Sequence, residues 1–211
     1  TAGSIVYGDL GDDSLVVTGA VVGSSLIGDD APGSASDGND SFVVTGGFST
    51  SYYGGGAGND LFSVSGAVEA SSLYGGLGND SITIVGNVTA SSTVFGGSGN
   101  DVLQIDGIVV TASVLGEAGT DLLSLNTVSN GYADGGIGND TVVVRGQIND
   151  GASVFGGEGN DSLSVVGLVS RGFVGGDAGN DTLNFFAGLT TSTISGGSGA
   201  DFFSITGGLT A

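Results

Sequence analysis

Ten aspartates recur along the chain: Asp13, Asp40, Asp60, Asp80, Asp101, Asp121, Asp140, Asp161, Asp181 and Asp201, separated by 27, 20, 20, 21, 20, 19, 21, 20 and 20 residues. Seven of them close the same tripeptide, Gly38-Asn39-Asp40, Gly58-Asn59-Asp60, Gly78-Asn79-Asp80, Gly99-Asn100-Asp101, Gly138-Asn139-Asp140, Gly159-Asn160-Asp161 and Gly179-Asn180-Asp181. One carboxylate per repeat, set among glycines, suits the capture of a hard cation. Glycine accepts positive φ and can turn backbone carbonyls toward one point, and calcium takes six to eight such oxygens at about 2.3–2.6 Å. A metal-free Asn-Asp turn needs no carboxylate at the same place in every repeat.

The elements that must hold these turns follow from the same period. A repeat of about 20 residues from end to end is the signature of a solenoid, in which each coil buries its apolar face only against its neighbours. With the turn aspartate as origin, positions +2 and +4 are apolar in every repeat, from Leu15 and Val17 through Phe62 and Val64 to Phe203 and Ile205. Their flanks are mostly Ser, Thr, Val or Asn, the period-two alternation of a strand with one face buried. Glycine follows at +6, as at Gly66 and Gly86, and an apolar residue at +8, as at Val68 and Val88. The chain then returns through small residues to an apolar position −7, occupied by Tyr53, Leu73, Val94, Val114, Val154, Val174 and Ile194. Position −9 is small (Ser71, Ser92, Ala112, Ala152, Gly172), as required where two sheets lie close.

The fold expected is all-β: one parallel β-solenoid over residues 1–211, about ten coils with two strands each and one row of acidic turns along one edge. At about 4.8 Å between strands the rod is roughly 45–50 Å long. The long interval between Asp13 and Asp40 marks a surface-loop insertion over residues 28–37, Gly28-Asp29-Asp30-Ala31-Pro32-Gly33-Ser34 being loop-like in composition.

Composition narrows the function classes. The net charge is −20, from 22 acids against Arg145 and Arg171 alone, which points to cations as partners and away from nucleic acid and anionic membranes. Glycine or a polar residue interrupts every apolar run, so no membrane insertion is expected. With no cysteine, disulfides cannot staple the fold and a metal is the natural substitute. No His, Cys or Trp is present, and the carboxylates form a regular array rather than a cluster of contrasting environments, so no enzyme and no catalytic residue are expected. The two arginines are expected in surface ion pairs.

Several turns complete Gly-Gly-x-Gly-x-Asp followed by x-apolar-x: Gly55-Gly56-Ala57-Gly58-Asn59-Asp60, Gly75-Gly76-Leu77-Gly78-Asn79-Asp80, Gly135-Gly136-Ile137-Gly138-Asn139-Asp140 and Gly156-Gly157-Glu158-Gly159-Asn160-Asp161. On these residues the chain resembles the RTX, or hemolysin-type, calcium-binding repeat family, whose motif is of this form. The resemblance implies a β-roll with calcium between successive turns, held by the ten aspartate carboxylates and by turn carbonyls. By that analogy the glycines of the site are Gly56, Gly58, Gly76, Gly78, Gly97, Gly99, Gly119, Gly136, Gly138, Gly157, Gly159, Gly179, Gly197 and Gly199. Ten turns enclose nine gaps, so up to about nine calcium ions fit per chain and would bring the charge of −20 to about −2.

The function these readings imply is an extracellular, calcium-dependent structural protein. It would be a secreted or cell-surface rod that stacks head to tail into a filament or surface layer, with a further calcium at each chain–chain junction. Reading the C-terminus into the N-terminus places Asp201 23 residues before Asp13, close to one coil. Two alternatives are an extender or ligand-binding segment of a longer adhesin, binding ice or glycan, and a non-catalytic calcium module of a secreted enzyme. For ice, the row of Asn residues is present, but the threonines of a Thr-x-Asn turn are replaced by Asp37, Ala57, Leu77, Ser98, Ile137, Glu158 and Ala178. For glycan or cell-surface contact, aromatics on one side (Tyr7, Tyr74, Phe95, Phe155, with Tyr132 and Phe173) are the candidates.

Overall fold

A computed structural model describes residues 3–29 and 38–210. The chain winds into a stack of coils whose strand pairings, among the described residues, are all parallel. One sheet holds ten return strands, among them Ser72–Leu77, Thr93–Ser98 and Ser153–Glu158, in sequence order along the rod. The second holds the remaining eighteen strands. These include the outgoing strands such as Ser81–Ile84 and Ser162–Val165, and a short strand after each, such as Val88–Thr89 and Val169–Ser170. No helix occurs among the described residues, and so none is long and apolar enough to cross a membrane.

The expected apolar positions form the core. Phe62, Val64, Leu73, Val94, Leu103, Ile105, Val114 and Leu123 are all fully buried, and Ser71, Ser92, Ala112 and Ala152 fill the narrow corner. Burying aliphatic side chains of this size contributes about 1.5–3 kcal/mol each. The short third ladder goes beyond the two strands per coil read from the alternation. Val68, Val88, Val109, Ile148 and Val169 at +8 are buried and paired, so the coil turns a third corner there rather than looping back directly. The +6 glycine makes that bend: a Cβ on Gly86 would fall 2.4 Å from the backbone of Gly66.

The two coils that follow Asp40 and Asp60 carry an aromatic core. Tyr53 stacks on Phe62 at 3.9 Å and meets Phe42 edge-on at 5.2 Å, and Phe48 meets Phe62 at 5.6 Å. Residues 30–37, most of the expected loop, lie outside the described residues. Gly28 and Asp29 keep the coil: the Gly28 N–H donates to the Gly54 carbonyl at 2.9 Å and Asp29 is buried. Gly28 and Asp29 therefore belong to the coil stack.

Candidate metal centre

The site is built from the turn that joins each return strand to the next outgoing strand. Two of its glycines adopt positive φ, for example Gly76 (124°) and Gly78 (116°), a region closed to most L-residues. Space closes the same positions: a Cβ on Gly78 would lie 1.8 Å from the carbonyl oxygen of Gly58, and one on Gly159 1.6 Å from that of Gly138. Stacked at strand spacing, the turns hold glycine in every repeat at the position two residues before the aspartate, with the backbone oxygens of one coil facing the next.

The turn aspartates lie inside the coil. Asp40, Asp60, Asp80, Asp101, Asp121, Asp140, Asp161 and Asp181 are only 1–3 % exposed. Each turn aspartate donates its backbone N–H to Oδ1 of the aspartate one coil further on, at 2.7–3.0 Å, from Asp13 to Asp40 through Asp181 to Asp201. A second ladder runs the opposite way. The N–H groups of Asn59, Asn79, Asn100, Asn160 and Asn180 donate to Oδ1 of the residue one coil earlier, at 2.7–2.9 Å. Asp12 and Thr120 continue that row.

Oδ2 is the unsettled atom. In Asp40, Asp80, Asp101, Asp121, Asp140, Asp161 and Asp181 it is buried without a hydrogen-bond partner. It faces a second acceptor: around the Cβ position of Gly75 lie Asp80 Oδ2 and the Gly96 carbonyl oxygen, both at 2.4 Å. The same pairing recurs at Gly116, with Asp121 Oδ2 at 2.4 Å and the Gly135 oxygen at 2.3 Å, and at Gly176, with Asp181 Oδ2 at 2.4 Å and the Gly196 oxygen at 2.6 Å. Buried oxygens set this way with no protein donor beside them are satisfied by a proton, a water or a cation.

The electrostatics show the same demand. Burial, and then the charge of neighbouring aspartates, pushes Asp80 up to about 7 despite the Asp60 N–H, which favours the ionised form. Burial raises Asp101, Asp121, Asp140 and Asp161 to about 6, again against one backbone N–H each. Adjacent carboxylates about 4.8 Å apart repel by about 1 kcal/mol even at the dielectric of water. Among the described residues no three carboxylates already converge on one point. The donor set is thus one carboxylate per coil with backbone carbonyls, a hard, all-oxygen set that fits calcium.

The arginines do not enter the site: Arg145 pairs with Asp106 at 2.8 Å and Arg171 pairs with Asp150, both on the surface as expected. The side-face aromatics form a ridge along the return sheet. Tyr74 stacks on Phe95 at 4.5 Å, and Phe155 packs against Tyr132 at 5.6 Å and Phe173 at 5.2 Å.

Together the fold and the row of turns define a parallel β-roll with an oxygen-rich cation edge. A sequence model described as "RTX calcium-binding nonapeptide repeat (4 copies)" matches residues 91–104. Among solved structures the chain is similar to a hyperactive, Ca2+-dependent, β-helical antifreeze protein from an Antarctic bacterium. The identity is 26 % and the TM-score 0.67, over 98 % of this chain and 78 % of that one. No curated protein matches. These likenesses support an RTX-type β-roll repeat protein, and the repeat supports calcium binding.

Sequence reading missed two parts of the site. The opposed N–H ladders of Asp and Asn could have been found from the pair's recurrence, since two adjacent acceptor side chains with one period can each serve a neighbouring coil. The inward aim of Oδ2 had a signal in the glycine at −5, whose missing Cβ leaves room for it.

Proposed function

We propose that this chain is a calcium-stiffened structural rod that works outside the cell, with ions held between successive turns by Asp13, Asp40, Asp60, Asp80, Asp101, Asp121, Asp140, Asp161, Asp181 and Asp201 and by carbonyls of the turn glycines. The observation that carries this reading is the row of buried Oδ2 atoms set against backbone oxygens. A calcium ion supplies the positive charge that each gap lacks. Extracellular millimolar calcium keeps such sites filled, and in the absence of cysteine the ions take the stapling role.

In the finer reading, rods stack end to end. Phe203 and Ile205 of the last coil are 42 % and 38 % exposed, whereas the same positions of inner coils are buried to 0–1 %. Further coils, from a second copy or from a longer chain, would cover them. Electron microscopy in millimolar calcium and after chelation distinguishes the two: calcium-dependent filaments support stacking, and single short rods at every concentration contradict it.

A second reading, ice binding, is favoured by the likeness to the antifreeze protein. The exposed Asn row runs along the calcium edge, but its companion row mixes Leu77, Ile137 and Glu158 with alanines and serines, so the face lacks a uniform hydroxyl array. Thermal hysteresis of the calcium-loaded chain, absent after chelation, would establish this reading; none at millimolar protein would remove it.

A further inference from the structure

The only two positive side chains, Arg145 and Arg171, lie on neighbouring coils in the second half of the chain, and both tie coils together. Arg145 reaches past the adjacent coil. Its guanidinium donates to the Asp106 carboxylate at 2.8 Å and to the Ile105 carbonyl at 3.2 Å, two coils back, and its Nε donates to the Leu125 carbonyl of the coil between at 3.5 Å. Arg171 pairs with Asp150 of the preceding coil, and Asp150 also accepts from the Ser129 hydroxyl at 3.1 Å. An exposed ion pair alone contributes little. Arg145 differs because one planar fork holds backbone oxygens of two coils as well as a carboxylate.

The backbone is continuous at the same place. Elsewhere a coil leaves the turn on a four-residue strand, bends and resumes as a two-residue strand, as in Ser81–Ile84 and Val88–Thr89. In the coils after Asp101 and Asp121 the two merge into Val102–Val110 and Leu122–Ser129. The second of these coils is short, 19 residues from Asp121 to Asp140, and the register shifts between Ile105 and Ile108 so that Thr127 stands opposite Ile108. Side chains hold the shortened bend. Asn126 Nδ2 donates to the Asp106 carbonyl at 3.0 Å, and Gln104 Nε2 donates at 3.2 Å to the carboxylate that Arg145 binds. Leu103, Ile105, Val109, Leu123, Leu125 and Val128 are fully buried on the inner face. None of these contacts uses a turn aspartate, so chelation leaves them in place.

The first half has no equivalent. No positive side chain precedes Arg145, so nothing of that sign offsets the acids of the earlier coils. The aromatic core around Tyr53 and Phe62 buries a tyrosine hydroxyl without a partner. In a solenoid, stability is close to a sum of coil and neighbour contributions, and folding can start at the best-tied coils and spread.

We propose that the coils from Asp101 to Arg171 are a calcium-independent folding nucleus, held by Arg145, Arg171 and the merged strands, from which the ion ladder orders the rod toward both ends. The nucleus stands without the calcium reading above, and the spreading rests on it. Such a device lets the ordered length of the rod follow the calcium concentration while its middle stays folded.

Hydrogen–deuterium exchange of the full chain, read by mass spectrometry in chelator and again in millimolar calcium, tests this. In chelator, the amides of Val102–Val110, Leu122–Ser129 and Thr141–Val144 should exchange about tenfold or more slowly than those of Ser41–Val44, Leu61–Val64 and Ser81–Ile84. Calcium should then slow the second group. Arg145→Gln should remove most of the difference in chelator and change the calcium-loaded chain much less. Even exchange along the chelated chain, or slowest exchange in the first half, would overturn the proposal, as would an Arg145→Gln chain with the difference unchanged. A slow middle segment in a chain whose exchange calcium alters nowhere would support the nucleus and overturn the calcium reading.

Discussion

Replacing Asp101 by Asn should have opposite effects with and without calcium. The amide oxygen keeps the acceptor for the Asp80 N–H, a 2.7 Å bond, and the amide nitrogen takes the place of Oδ2. Around the Cβ position of Gly96, Oδ2 lies at 2.5 Å and the Gly116 oxygen at 2.8 Å, so the new N–H2 group meets an acceptor instead of opposing one. Burial holds the Asp101 carboxyl at about 6, roughly two units above its ordinary value of about 3.8. Two units correspond nominally to about 3 kcal/mol, reduced here to about 1–2 kcal/mol for screening by water that reaches the turn. In chelator above pH 7, Asp101→Asn should therefore raise the melting temperature by roughly 2–8 °C.

In calcium the same variant removes one ligand from the ions on either side. An ion at 100 times its Kd stabilises by about 2.7 kcal/mol, and a tenfold loss of affinity removes about 1.3 kcal/mol of that. Two weakened ions lower stability by about 3 kcal/mol, and the melting temperature falls by roughly 5–10 °C. Differential scanning calorimetry in calcium and in chelator reads both signs. Equal destabilisation under the two conditions would refute the reasoning, because it would make the carboxylate a hydrogen-bonding strut with no metal role.

Raised aspartates also set a pH dependence for the chelated chain. Their folded pKa values, about 7 for Asp80 and about 6 for Asp101, Asp121, Asp140 and Asp161, lie above the unfolded value, so the folded state binds more protons. Thermal melts in chelator should show stability greatest below about pH 4 and falling as pH rises to about 7; a melting temperature that climbs over that window would contradict it. Gly78→Ala, at φ 116° with its Cβ 1.8 Å from the Gly58 oxygen, should destabilise by about 3 kcal/mol or more. Gly19→Ala, where nothing lies within 4 Å, should stay within about 0.5 kcal/mol in the same urea titration. Tyr53→Phe removes a buried hydroxyl without a partner and should stabilise by about 1 kcal/mol, whereas a loss would mean that the hydroxyl is bonded.

Much of the fold was legible because a coil repeats its own environment. The alternation around Phe62 and Val64, the return position of Leu73 and the small corner at Ser71 each recur with one period, and each residue is buried as its pattern implies. The third ladder was harder to see, since Val68-Glu69 is too short to show alternation and pairs only through the stack. Within the site, the glycines and aspartates were readable from their spacing. The direction of each carboxylate was not: whether Oδ1 bonds forward or back along the rod depends on the twist of a turn that only stacking determines. Asp29 shows the limit of composition. It reads as part of a loop, yet its carboxylate accepts the Ala57 N–H at 3.0 Å within the coil stack.

The calcium ladder itself is tested most directly by counting ions. Native mass spectrometry of the chain, exchanged into calcium at neutral pH and compared with a chelated sample, should show about one ion per gap between adjacent turns, approaching nine for ten turns. A folded chain that carries none, or only one or two, would contradict the account.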